Sequence, residues 1–329
     1  MTDAAHQQPI ASASARRSTG WVQKWIHNPV LRREMQERMQ TRRGAIAITF
    51  WLVLLSAAFL LVYQANATLG GFDGAVVDVG RIGREIFEWV LFVMLLLVLF
   101  LVPAFTSSTV AGERERQTLV PLQVTLLSPA QIVIGKIAAA VVFVVLLVVL
   151  TAPLLAASFL IGGVSIGDIV RGLAMVLLTA LVVGSIGVAC SARARRVQTA
   201  TVLTYAIVLL MAVGTLIGLG ALALVDAMRG FDTVNPPKEI LMFNPFVATA
   251  DIFDSGSSFI GFGDTATPFG ALRSLLDELD SLDRDFILGP ERDETTRVWR
   301  WYVVAAIALT YSAIVYAASK VRAPAEAER

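Results

Sequence analysis

A chain of 329 residues that is 56% hydrophobic and 16% charged, with a mean hydropathy of +0.69, is too apolar for a soluble globular domain, which carries about 25% charged residues. The net charge of +1 carries no nucleic-acid signal, because the basic residues are not gathered on a soluble domain. Cys190 is the only cysteine, which excludes an internal disulfide and a thiolate metal cluster, and the two histidines, His6 and His27, lie in a polar arm and offer no buried metal site.

In chain order, residues 1–20 are rich in Ala, Ser and Gln without apolar periodicity, which predicts a disordered tail. Residues 21–43 read as an amphipathic helix. Asn28 can cap it and Pro29 can occupy its first turn. Leu31, Met35 and Met39 then share one face, while Arg32, Arg33, Glu34, Glu37 and Arg38 occupy the others. With Trp21 and Trp25 as anchors, this fits a helix lying at the membrane surface; a solvated helix leading into the membrane is the plainer alternative.

Six apolar runs are long enough to cross a hydrocarbon core of about 30 Å: 44–64, 89–109, 137–166, 172–192, 197–225 and 298–319. The first follows eight basic residues, so it reads as a retained anchor and not as a cleavable signal. The third is over-long and divides into a span over 132–159 and a turn over 160–168. Pro103 and Pro153 are expected to kink or break their helices. The connection 65–86, with Gly70, Gly71, Gly74, Gly80 and Gly83, reads as a flexible external loop. Glu85 and Glu88 stand at the mouth of the second span, where solvation accounts for them more simply than guidance of a substrate. Gly214, Gly218 and Gly220 give the fifth span a small-residue face, suited equally to packing within the chain and to dimerisation.

Basic residues concentrate in the arm, in the connections after the second and fourth spans and in the tail 320–329, so both termini are expected on the cytoplasmic side. Residues 226–297 then form a large external segment. Within it, 242–253 is apolar but too short to cross, which suggests a re-entrant or interfacial element. Over 269–286, Leu272, Leu275, Leu276, Leu279, Leu282 and Phe286 follow one helical face while Asp277, Glu278, Asp280, Asp283 and Asp285 fall elsewhere. This acidic amphipathic helix reads as a lid or docking face, or as a helix that packs its leucines on neighbouring loops. The fold class is thus an all-α integral membrane protein with six transmembrane helices in 44–225 and 298–319.

Between the second and third spans lies the polar stretch Gly112-Glu113-Arg114-Glu115-Arg116-Gln117-Thr118, followed by an apolar stretch from Leu119 past Leu122 to Leu127, then Ser128-Pro129 and Gly135-Lys136. Held between two spans, residues 113–127 are suited to receiving a push from a soluble partner; an ordinary hydrated helix boundary would look the same.

The Gly-Glu-Arg-Glu turn, Thr118-Leu119, Ser128-Pro129 and Gly135-Lys136 resemble the signature of type-2 ABC exporter permeases. Asn28-Pro29-Val30-Leu31-Arg32-Arg33-Glu34 resembles that family's connecting helix, and Asn244-Pro245-Phe246 its motif after span five. Thr118 and Pro129 are eleven apart with Pro121 between them, a longer step than in many members. The resemblance implies a permease subunit that binds no cofactor of its own, paired with a second permease copy, identical or paralogous, and with two copies of an ABC ATPase that carry ATP and Mg. It implies a bacterial plasma-membrane location and a coupling helix over 113–127, with contacts from Glu113, Arg114, Glu115, Arg116, Thr118, Leu119, Leu122, Ser128 and Pro129. The connecting helix would contribute Asn28, Pro29, Leu31, Arg32, Arg33, Glu34 and Met35.

The chain itself has no phosphate-cradling loop: Gly135-Lys136 precede Ile137, and Ala130 stands where the first glycine is needed. An ion-gradient secondary transporter is the alternative, although spans one, three, five and six lack ionisable residues at their centres. A membrane scaffold or sensor is another. Thr201, Thr204, Tyr205, Thr215, Tyr311 and Ser312 are the polar residues available to line a path between permease halves, and bonding to their own helices is the plainer reading of such hydroxyls.

Overall fold

The computed structural model describes residues 42–69, 79–117, 129–228, 238–253, 267–282 and 297–321, and every regular element among them is a helix. In chain order these are α1 (Arg42–Leu69), α2 (Val79–Thr106), the short α3 (Ala111–Glu115), α4 (Pro129–Ile161), α5 (Ile166–Arg193) and α6 (Val197–Leu209). A π turn (Leu210–Gly214) joins α6 to α7 (Thr215–Met228); a 3-10 turn (Lys238–Phe243), α8 (Pro245–Ile252), α9 (Pro268–Leu282) and α10 (Val298–Val321) follow. Six of these stretches are long and apolar enough to cross a membrane, with α6, the π turn and α7 counted as one.

Spans two, three and four form the buried centre, and spans one, five and six lie against it with much of their surface open. Phe87, Leu91, Met94, Leu95, Val98 and Val102 of α2 face Phe143, Val144 and Leu147 of α4 and Val176, Ala180 and Val183 of α5 in one apolar cluster. Span one joins through Trp51 and Leu55, and the buried Trp51 indole donates to Thr151 Oγ1 of α4 at 2.9 Å. A second cluster, with Val110, Val133, Ile137, Val188, Ala192, Ala317 and Val321, closes the end of the bundle that carries Glu113 and places the end of the sixth span there.

The second span starts ten residues earlier than its apolar run, at Val79 instead of 89. Gly80 and Gly83, expected in a flexible loop, are helical. A Cβ on Gly83 would run into the Gly162 carbonyl, and one on Gly163, whose φ is +77°, would meet the Gly80 carbonyl. Bare backbone is therefore what lets α2 approach the tight turn after α4. That turn is shorter than 160–168: α4 ends at Ile161 and α5 begins at Ile166, capped reciprocally by Ser165 and Asp168.

Neither Pro103 nor Pro153 breaks its helix, and α2 and α4 run through both. Helix packing in a membrane tolerates proline where neighbouring groups meet the freed carbonyls. Among the described residues nothing packs on the small-residue face of span five at Gly218 and Gly220, where an added Cβ would meet no atom within 4 Å.

Asn244 explains the π turn. Its side-chain amide donates to the Ala212 carbonyl at 2.9 Å and to Thr215 Oγ1 at 2.8 Å, while its carbonyl oxygen accepts from Phe246 N and Val247 N at the start of α8. A side chain inserted at a widened turn satisfies backbone groups there and caps a second helix with its other face.

Substituting Gly83→Leu should force α2 off the Gly162 turn and destabilise the protein by about 3 kcal/mol, the upper end of overpacking costs, because backbone and not a mobile side chain opposes the new atoms. The thermal unfolding midpoint of the purified protein checks this.

Candidate functional site

Span two does not stop at Thr106. Four turn residues carry it into α3, and Glu113, Arg114 and Glu115 then each reach a different neighbouring span. Glu113 Oε1 pairs with Lys136 Nζ of span three at 2.8 Å, and Lys136 also donates to the Thr109 carbonyl at 3.1 Å. Lys136 is 1% exposed and the Glu113 side chain 28%. A lysine taken this far from water requires such partners.

Arg114 takes span four. Its guanidinium donates to the Ala194 carbonyl at 2.7 Å and the Ala192 carbonyl at 3.2 Å, which lie at the carbonyl-rich end of α5 where a cation is favoured. Ser191 Oγ of the same helix accepts from Val110 N and Ala111 N, meeting two amides that begin α3. Glu115 takes span five: its Oε1 accepts from Val197 N, the first residue of α6, at 2.8 Å. Ser107 and Thr201 add a hydroxyl contact at 3.0 Å between spans two and five. Arg116 is exposed, and Gln117 beyond it has a positive φ of 59°.

The turn is therefore a polar junction of spans two to five. The structure brings Glu113, Arg114 and Glu115 together there, and Pro129 opens α4 on the returning strand of chain. Thr118, Leu119, Leu122 and Ser128 lie outside the described residues, as do Asn28, Pro29, Leu31, Arg32, Arg33, Glu34 and Met35 of the connecting helix. The spacing did not reveal the partner Lys136. It falls in phase with Ile132, Val133, Ala140 and Phe143 on the buried face of α4, so a lone lysine on that face was the available signal.

The residues considered as path lining do not converge. Thr201, Thr204 and Thr215 donate to carbonyls one turn back along their own helix, Ser312 donates to the Leu309 carbonyl, and Tyr205 donates to the Phe100 carbonyl at 2.7 Å. Tyr311 is 70% exposed on span six. Among the described residues no group of three or more His, Cys, Asp or Glu is placed to hold a metal ion.

At the opposite end Glu85 and Glu88, expected to be solvated, are buried. Asn66 of span one donates to Glu85 Oε2 at 2.9 Å. Glu88 is 2% exposed and faces Arg273 of α9, itself 0% exposed. The expectation failed because the loop assumed around these carboxylates is helix, and because α9 folds over them. Asp251 at the end of α8 accepts from Trp299 N at the start of α10, another helix end met by a side chain from elsewhere in the chain.

Six apolar crossings and a charged junction define a multi-pass helical membrane protein. The family description "ABC-2 family transporter protein" matches residues 81–317, which includes spans two to six and the junction. The chain belongs to that family, and is a membrane subunit of an ABC transporter. A comparison with curated protein sequences gives no match.

Removing the Lys136 charge should take from the part-buried Glu113 the cation that its Oε1 meets at 2.8 Å. Lys136→Met is expected to destabilise the protein by about 3 kcal/mol, and adding Glu113→Gln to it should recover part of that loss. Unfolding midpoints of the two variants and the parent test this coupling.

Proposed function

We propose that this chain is the permease of an ATP-driven exporter in a bacterial plasma membrane, with the Glu113 end and both termini cytoplasmic. Two permease copies, identical or paralogous, form the translocation path. Two separate ABC ATPase subunits bind ATP and Mg and seat themselves against residues 113–127, with the helix over 28–43 beside them.

The observation that supports this reading most is the junction itself. Glu113, Arg114 and Glu115 each bind a different span, so a displacement of this turn is delivered to spans three, four and five at once. A rigid-body switch needs such a point of application. The same geometry divides the motif into two tasks. Glu113, Arg114 and Glu115 bind inward and make the junction stiff, which leaves Arg116 and the chain beyond it to meet the ATPase. Family membership supports an ATPase partner in general. Export and not import, the pairing of two permeases and the path-lining role of Thr201, Tyr205, Tyr311 and Ser312 belong to this proposal, the last of these because spans five and six keep open faces for a second copy, whereas Thr204 and Thr215 are buried within the chain.

Co-expression with the ATPase should yield a complex whose ATP turnover depends on the permease. Arg116→Glu, at an exposed position, should lower that dependence by about tenfold, equivalent to about 1.4 kcal/mol, while the unfolding midpoint of the isolated permease is unchanged. An isolated permease that transports without any ATPase refutes the reading.

A further inference from the structure

At the end of the bundle away from Glu113, α9 is fastened to span two through the buried charges of Glu88 and Arg273. Arg273 Nη2 donates to both oxygens of Glu88, at 2.9 and 3.1 Å. Arg84 Nε donates to Glu88 Oε1 at 3.2 Å, and the Thr267 hydroxyl donates to Oε2. Thr267 Oγ1 in turn accepts from Gly270 N at 2.9 Å, so the Glu88 carboxylate lies at the start of α9, where the helix dipole favours an anion. Next to this cluster Phe269 meets Phe92 edge to face, with ring centres 5.8 Å apart. The far end of α9 rests elsewhere: Leu276 and Leu279 pack with Leu219 of span five and with Leu241 and Val247. α9 therefore bridges spans two and five.

A permanent brace would be better made of apolar side chains. The desolvation of a buried ion pair offsets most of its attraction, and apolar replacements of similar size are often neutral or stabilising. Charges have an advantage only if they are also satisfied when apart. Here they are, because Glu88 and Arg84 line a pocket of about 200 Å³ together with Asp168, Phe87, Val164 and Phe253. Space for several waters therefore adjoins Glu88, whose carboxylate gains hydration as soon as the pair separates, while Arg273 leaves with α9. Closed, the Glu88 carboxylate is met by Arg273, Arg84 and Thr267; open, water takes the place of Arg273.

We infer that Glu88 and Arg273 are a releasable latch, which holds α9 closed across the ends of spans two and five and lets it lift away when the pair parts. This goes beyond the permease reading, and its test needs neither nucleotide nor ATPase. The purified full-length chain with Cys190→Ser carries one reporter, either Leu276→Cys on the packed face of α9 or Val183→Cys in the bundle centre, and reaction with a water-soluble maleimide is timed. In the parent both reporters should react slowly. Glu88→Gln should speed reaction at position 276 at least tenfold and leave position 183 protected. The double variant Glu88→Met with Arg273→Met should return position 276 to the parental rate or below, since an apolar pair cannot be released into water. Parental reactivity in Glu88→Gln overturns the latch, and so does a double variant as reactive as Glu88→Gln. If Glu88→Gln exposes both reporters, Arg273→Lys decides: faster reaction at 276 alone supports the latch, and an unchanged rate overturns it.

Discussion

Span two is pinned at both ends by a carboxylate whose partner is a fully buried cation, Lys136 for Glu113 and Arg273 for Glu88. While it is made, such a pair sets the register of the helices it joins, because each buried charge needs its partner at hydrogen-bond distance. The rest of the bundle is arranged around that rod. Spans three and four pack along its length, and the segments at its two ends are tied to it by polar contacts that also serve backbone needs.

Those needs are met by side chains at four helix starts. The first amides of a helix lack partners within it, and lipid supplies none. Ser191 meets the start of α3, Glu115 that of α6, Asn244 that of α8 and Asp251 that of α10. In each case the acceptor comes from a different element or from the residue at the joint, so capping and tertiary assembly are one event. A membrane subunit of an ABC transporter built this way has stiff ends and an apolar middle, which suits a body that moves as a whole.

Much of this was legible in the residues. Apolar run length located all six spans, and the charged turn between the second and third was recognisable as the point of interest before any partner was known. What composition could not show was direction. Glu88 reads as a solvated residue at a helix mouth, yet it is in phase with Leu91, Leu95, Val98 and Val102 on the buried stripe. Arg273 hides among leucines in the same way, four residues after Phe269 and three before Leu276. Each is one charge on an apolar face, and only the fold brings the two opposite faces together. Gly80 and Gly83 were misread for a related reason: glycine promises flexibility when viewed alone and close approach when a second backbone arrives, here that of Gly162 and Gly163.

The π turn in span five has a consequence for how that helix tolerates change. Buried positions follow the series Ala200, Thr204, Val208, Ala212, Thr215 and Leu219, and steps of four would drift round an ordinary helix by about 40° each time. The widened turn absorbs the surplus residue and keeps both halves in line. Losing one amino acid from 210–214 would close the widened turn into ordinary helix with both halves still in line, and would remove the opening that the Asn244 amide fills. Span five thus holds one residue of slack at mid-length, taken up by the turn that Asn244 wedges open.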